Sequence, residues 1–191
     1  MIQKILTAAA LCCLFIVQNS KAQTAIEPKN ITIVRDKWGV PHVFGKTDAD
    51  AAYGLAWANA EDAFAEMQEM MNTTLGVMGR IKGKDGAASD FFVGAIRARQ
   101  TVDEKFEADL TPQFKRYLQG YCQGINAYAA KYPKKITFKK SFPLRPRDVV
   151  QAYLVAFSAL CGVGDEVEKA MTGKNDKRPD PFYGKGSNAF A

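Results

Sequence analysis

Histidine is nearly absent from this chain of 191 residues: His42 stands alone against 26 Lys and Arg and 20 Asp and Glu. A His-rich metal site or a Ser-His-Asp triad would have to run through that one imidazole, so the usual hydrolase constellations are mostly excluded. Cysteine is scarce too, with four residues, two of them the adjacent Cys12 and Cys13. The net charge of +6 invites a nucleic-acid reading. The basic residues are distributed among acidic ones without a long uninterrupted block, so no nucleic-acid partner is expected. There is no internal repeat. What is present is a globular composition, 47% hydrophobic and 24% charged, on a chain long enough for one core and hardly two.

Lys4 precedes an apolar run from Ile5 to Val17, and Ser20-Lys21-Ala22 places small residues where a signal peptidase reads. Residues 1–22 are therefore expected to be a secretory signal cut before Gln23, which makes the product periplasmic or secreted. A membrane anchor is not expected, because the run falls short of the roughly 20 residues a spanning helix needs and Gln18-Asn19-Ser20 follows at once. Cleavage removes Cys12 and Cys13 and leaves Cys122 and Cys161 in an oxidising compartment. There a disulfide and a pair of buried thiols are both open.

Along the remainder, Asn30 to Arg35 and Val40 to Phe44 read as short extended pieces, a hairpin or adjoining strands. From Asp48 the pattern becomes an Ala-rich helix through Met71, with Thr47 or Asp48 as its cap and Tyr53, Trp57, Ala60, Phe64 and Met67 at helical spacing. Gly76, Gly79, Gly83 and Gly86 lack the strand and the Lys-Ser/Thr ending of a phosphate loop, so they are expected to mark turns, with helix resuming from Asp90 to Arg99. Thr111-Pro112 opens a helix with Phe114, Leu118, Cys122, Ile125 and Tyr128 on one face, ending near Tyr132-Pro133. Lys134 to Lys140 forms a basic connection, and Asp148 is expected to cap a further helix to about Leu160. The stretch beyond Gly164 reads as an exposed, poorly packed tail. The expected architecture is α+β, mostly helical with two or three strands.

Gly184 to Ala191 passes from small residues into the alternation of a strand start. Its Gly-Ser-Asn tripeptide gains meaning from the rest of the chain. Arg35-Asp36-Lys37-Trp38-Gly39-Val40-Pro41-His42-Val43, Tyr53-Gly54-Leu55-Ala56-Trp57-Ala58-Asn59-Ala60-Glu61-Asp62, Gly124-Ile125-Asn126-Ala127-Tyr128, Pro146-Arg147-Asp148 and Gly186-Ser187-Asn188 follow one another in this order. Together they resemble the penicillin acylase family of N-terminal-nucleophile hydrolases. Cys161-Gly162-Val163-Gly164 and Ser187-Asn188-Ala189-Phe190-Ala191 are more similar to its acyl-homoserine-lactone and aculeacin acylase branch.

The resemblance implies a secreted precursor with an αββα sandwich, cut by autoproteolysis between Gly186 and Ser187 into an α/β heterodimer. Residues 23–186 would form the α chain with its spacer, and residues 187–191 would begin the β chain. Ser187 would become the catalytic nucleophile, acting on a small acylated amide such as a homoserine lactone, β-lactam or lipopeptide. Ala156, Phe157 and Leu160, on the helix that borders the acyl pocket in similar acylases, would line that pocket, although core packing explains the same pattern. Glu166 falls where some penicillin acylases bind calcium. Such calcium would be structural, since the chemistry requires no cofactor, and a solvated acidic turn at Asp165, Glu166 and Glu168 is the plainer alternative. His42 is expected to be structural, and Arg35, Asp36, Glu61 and Asp62 to form an ion-paired framework. With the 186–187 bond intact there is no free amine on Ser187, so these 191 residues are expected to be inactive alone. The competing reading is a secreted, non-catalytic helical binding or relic module.

Overall fold

The structure is a computed structural model that describes residues 26–173. It begins with an antiparallel hairpin, β1 (Thr32–Arg35) and β2 (Pro41–Phe44), in which Val34 pairs with His42 and Ile33 with Val43. The turn is built around Asp36, whose Oδ1 accepts the backbone N–H groups of Trp38 at 2.9 Å and Val40 at 3.0 Å. Gly39 completes it in the left-handed region at φ +84°, where a side chain would be strained. Alternation turns Ile33 and Val43 toward the helices and leaves Val34 and Phe44 on the outer face, 51% and 60% exposed.

The central helix α1 (Asp48–Thr74) starts at a capping box, with Asp50 N–H donating to Thr47 Oγ1 at 3.2 Å and Thr47 N–H to Asp50 Oδ2 at 3.0 Å. Its backbone leaves helical geometry once, at Ala63 (φ −145°, ψ 44°). The short helix α2 (Met78–Lys82) follows, then α3 (Lys84–Ala95), α4 (Ala98–Asp109) and α5 (Pro112–Lys131), the last capped by Thr111. After a connection with two short 3-10 turns, α6 (Pro146–Leu160) and α7 (Val163–Thr172) complete the described residues.

The core lies where α1, α5 and α6 meet. Ala56, Ala60 and Phe64 pack against Leu118, Cys122, Ile125, Tyr128 and Val149. Tyr128 meets Trp57 and Phe64 in edge contacts with ring centroids 5.4 and 5.0 Å apart. Each large apolar side chain so buried stabilises the fold by about 1.5–3 kcal/mol. The α1–α5 crossing is close because small residues face one another: Gly120 lies on the Ala49 carbonyl and Gly124 on that of Tyr53.

The structure refines four expectations. Of the glycines from Gly76 to Gly86, Gly76 (φ +69°) and Gly83 (φ +62°) mark turns as expected, but the segment is not one loop. Gly79 and Gly86 lie within α2 and α3, Gly86 packing directly on the Met78 backbone, while Asp90 accepts the N–H groups of Met78 at 2.7 Å and Gly79 at 2.8 Å at the start of α2. Asp148 is not the cap of α6 but its third helical residue, reaching back to accept the Arg145 N–H at 2.9 Å. The stretch after Gly162 is helical as far as Thr172, and its described side chains are half-buried or exposed. Cys122 is buried and Cys161 exposed, and both are free thiols, so neither the paired nor the doubly buried arrangement holds. Burial pushes the Cys122 thiol up to about 12.

Candidate functional site

Helix α6 is apolar on two sides. Val149, Ala152 and Val155 face inward and are buried, whereas Tyr153, Phe157 and Leu160 stand outward at 71%, 68% and 72% exposure. Ala156 is exposed beside them. The spacing of 153, 157 and 160 gives one stripe on the helix, and packing within the described residues does not account for it. The three side chains anticipated as acyl-pocket lining are thus brought together on an open apolar face.

The start of α6 is fixed by charge. The Asp148 carboxylate, only 3% exposed, accepts from Arg99 at 2.8 Å and from the Arg145 side chain at 3.1 and 3.2 Å. Burial lowers the pKa of the Arg99 guanidinium, but its hydrogen bonds to Asp148 and Asp103 outweigh this and the net shift is upward. Alongside, a cleft of about 520 Å³ is bordered by Leu75, Lys140 and Gln151. Gln151 donates to the Thr74 carbonyl at 2.9 Å, tying α6 to the end of α1. These groups clamp helices together and supply no nucleophile.

At the hairpin, Arg35 grips Asp62 through two hydrogen bonds of 2.8 and 3.1 Å, Glu61 at 3.3 Å and the Gly39 carbonyl at 2.8 Å. The bonds to Asp62, then to Glu61, raise the Arg35 pKa. Trp57 Nε1 donates to Glu61 at 2.9 Å. The expected framework therefore exists, but at the surface, and without Asp36. Instead Asp36 organises its own turn and lies 3.4 Å from His42 Nε2, giving that histidine a carboxylate partner across the turn. Burial raises the Asp36 carboxyl, but the Trp38 and Val40 amides and His42 together hold it below the ordinary range. The signal was present: two strands joined by a five-residue turn place 36 and 42 at the same end. For Arg99 and Asp148, 49 residues apart, no local pattern existed.

Glu166 is exposed on α7 and accepts from Lys169 at 2.7 Å. Among the described residues no group of three or more His, Cys, Asp or Glu is placed to hold a metal. Calcium takes six to eight oxygens, of which Glu166, already held by Lys169, supplies two at most. Gly186 and Ser187 lie outside the described residues, as do the signal segment 1–22 and the junction at 23. No helix among the described residues is long and apolar enough to cross a membrane.

The sequence model of the family described as penicillin amidase matches residues 30–191, most of the chain. The chain belongs to the penicillin amidase family. Among curated relatives, an acyl-homoserine lactone acylase QuiP of Pseudomonas fluorescens (strain Pf0-1) is 24% identical over 160 residues, 78% of this chain and 19% of that protein. Penicillin G acylase of Escherichia coli is 32% identical over 107 residues, 53% of this chain and 12% of that protein. The penicillin acylase 2 proenzyme of Pseudomonas sp. (strain SE83) is 30% identical over 100 residues, 52% of this chain and 13% of that protein. The chain thus spans between an eighth and a fifth of the length of these relatives. A solved thermostable penicillin G acylase from Alcaligenes faecalis superimposes with a TM-score of 0.58 at 20% identity, covering 78% of this chain and 95% of that one. The mostly helical frame with its hairpin therefore shares the fold of that penicillin G acylase chain.

Proposed function

We propose that this chain is the α-chain part of a secreted N-acyl amide hydrolase precursor of the penicillin and acyl-homoserine-lactone acylase type, activated by cleavage before Ser187. The observation that carries the reading is the family match itself, which runs through Gly186-Ser187-Asn188 to residue 191. The lengths support it. The curated relatives are matched over a small fraction of their length, one of them named a proenzyme, whereas the matching chain of the solved acylase is spanned almost whole. That relation is expected where a short chain is cut from a long one and stays with the remainder as an α/β heterodimer.

The chemistry fits the side chains available. Hydrolysis of the 186–187 bond consumes one water and gives a Gly186 carboxylate and a Ser187 α-amine. A serine hydroxyl needs a base to attack an amide, and the exposed His42, held by Asp36 at the hairpin, is not assigned that part. An α-amine has an ordinary pKa of roughly 7.7–8.0, so a useful fraction is neutral near pH 7. It accepts the Oγ proton directly or through one water while Oγ attacks the acyl carbon. The tetrahedral intermediate expels the amine, which takes up that proton, and leaves an ester on Ser187 that water hydrolyses to the carboxylic acid. Backbone or Asn amides preorganised around the oxyanion would stabilise both intermediates. No cofactor enters any step, and a structural calcium at Glu166 would draw its other oxygens from outside the described residues.

Ala156, Phe157 and Leu160, already exposed together, are assigned to the acyl side of the substrate, with the β chain closing over them. Secretion follows from the leader at 1–22. The reading is tested by incubating the complete protein with N-acyl homoserine lactones and acylated β-lactams of graded chain length and measuring the carboxylic acid released. Release from at least one series, absent in Ser187→Ala, is expected.

A further inference from the structure

We propose that the lysine-rich connection between α5 and α6 is a docking surface for an anionic phospholipid membrane, to which the protein attaches peripherally. The mixing of charges along the chain has one exception: between Asp109 and Asp148 there are nine Lys and Arg and no Asp or Glu, more positive charge than the +6 of the whole chain. Lys115, Arg145 and Arg147 are drawn into ion pairs with Glu107, Asp148 and Asp103. Lys131, Lys134, Lys135, Lys139 and Lys140 are all exposed, and among the described residues none of them pairs with a carboxylate.

The backbone beneath them is pinned. Gln68 accepts the N–H of Thr137 at 2.8 Å and its hydroxyl at 3.1 Å, and donates to the Lys135 carbonyl at 3.0 Å. Asn126 holds Leu144 through paired bonds of 2.9 and 2.7 Å. Lys131 and Lys135 both sit over the Tyr132 ring, at 5.3 and 4.9 Å. Like charges fixed side by side repel one another, and an opposing sheet of negative charge relieves that repulsion.

The identity of the cations favours a lipid surface. Five lysines, with no arginine among them, are compact charges on flexible stems. They suit mobile, interchangeable headgroup phosphates better than one rigidly recognised ligand. The neighbouring rings of Tyr128, Tyr132 and Trp57 are packed on one another or lie under lysines, so these three offer no open face for stacking nucleic-acid bases. Attachment is peripheral because the described helices do not span a bilayer. Each lysine close to an anionic leaflet strengthens partitioning about fivefold. This inference does not depend on catalysis.

The test is co-sedimentation of the full chain with phosphatidylcholine vesicles, with and without about one-third phosphatidylglycerol. Lys131, Lys134, Lys139 and Lys140 are changed together to Gln, and Lys135 is kept because it donates to the Tyr128 hydroxyl at 2.8 Å. The unaltered protein is expected to bind only the anionic vesicles and to dissociate as salt rises from about 0.1 to about 0.5 M. The quadruple Gln variant, with unchanged circular dichroism, is expected to bind at least about fiftyfold less, and the matching Arg variant to bind normally. Should the Gln variant fail to fold, Lys134→Glu alone is expected to weaken binding at least about tenfold. Equal binding of variant and unaltered protein, indifference to phosphatidylglycerol, or displacement from the vesicles by an equimolar oligonucleotide would each overturn the proposal.

Discussion

Gly124 of α5 lies under the Tyr53 carbonyl of α1 so closely that a Cβ at that position would collide with the backbone. Backbone cannot rotate away as a side chain can, so the collision must be relieved by moving one helix off the other. Gly124→Ala is therefore expected to destabilise the fold by about 1–3 kcal/mol, overriding the gain of up to about 1 kcal/mol that alanine brings to a helix interior. Gly94→Ala provides the opposite sign. Nothing lies within 4 Å of a Cβ there, so this change is expected to stabilise by about 0.5 kcal/mol or more. Urea unfolding of the two variants checks both.

Glu107 anchors a second test. Its hydrogen bond from Lys115 at 2.6 Å lowers its pKa; slight burial opposes this, and the charges of Lys115 and Arg147 lower it further. A carboxyl held below its ordinary value of 4.5 contributes stability that is present above that value and lost as pH falls through the lowered one. Glu107→Gln should flatten the acid limb of a stability-against-pH curve below about pH 4.5 and leave its slope near neutrality unchanged. An unaltered acid limb would remove Glu107 from the account.

Phe157 separates pocket from core. It is 68% exposed, so Phe157→Ala is expected to change the unfolding free energy of this chain by no more than about 0.5 kcal/mol. In the complete enzyme the same change is expected to alter the ranking of acyl-chain lengths by kcat/KM. A large loss of stability with an unchanged ranking would return the residue to the core.

Most of the helical frame was legible because periodicity is a local property. The apolar spacing from Phe114 to Tyr128 and the cap candidates Thr47 and Asp48 predict where their helices begin, although the Ala-rich helix from Asp48 runs on to Thr74 rather than ending at Met71. Gly79 and Gly86 misled for a physical reason: their missing side chains serve contact between helices, which local sequence does not distinguish from the freedom to turn that Gly76 and Gly83 do use. Asp148 followed the same logic, since an acidic residue beside Pro146 suits both the cap and the third helical position. The outward stripe at Tyr153, Phe157 and Leu160 left pocket and core both open because apolar spacing reports that a face is covered, not what covers it. Ser187 was legible only through resemblance, as the tripeptide around it has no periodicity and its chemistry arises only after a bond is cut.

The central claim is that Ser187 is released as a chain terminus and then acts as nucleophile. Its most direct test is the intact mass and N-terminal sequence of the products of the complete reading frame, expressed with secretion, beside Ser187→Ala. The account predicts two polypeptides in the unaltered protein, the longer beginning Ser-Asn-Ala-Phe-Ala, and a single uncut chain in the variant. One uncut chain in both, or a cut at another bond, would contradict it.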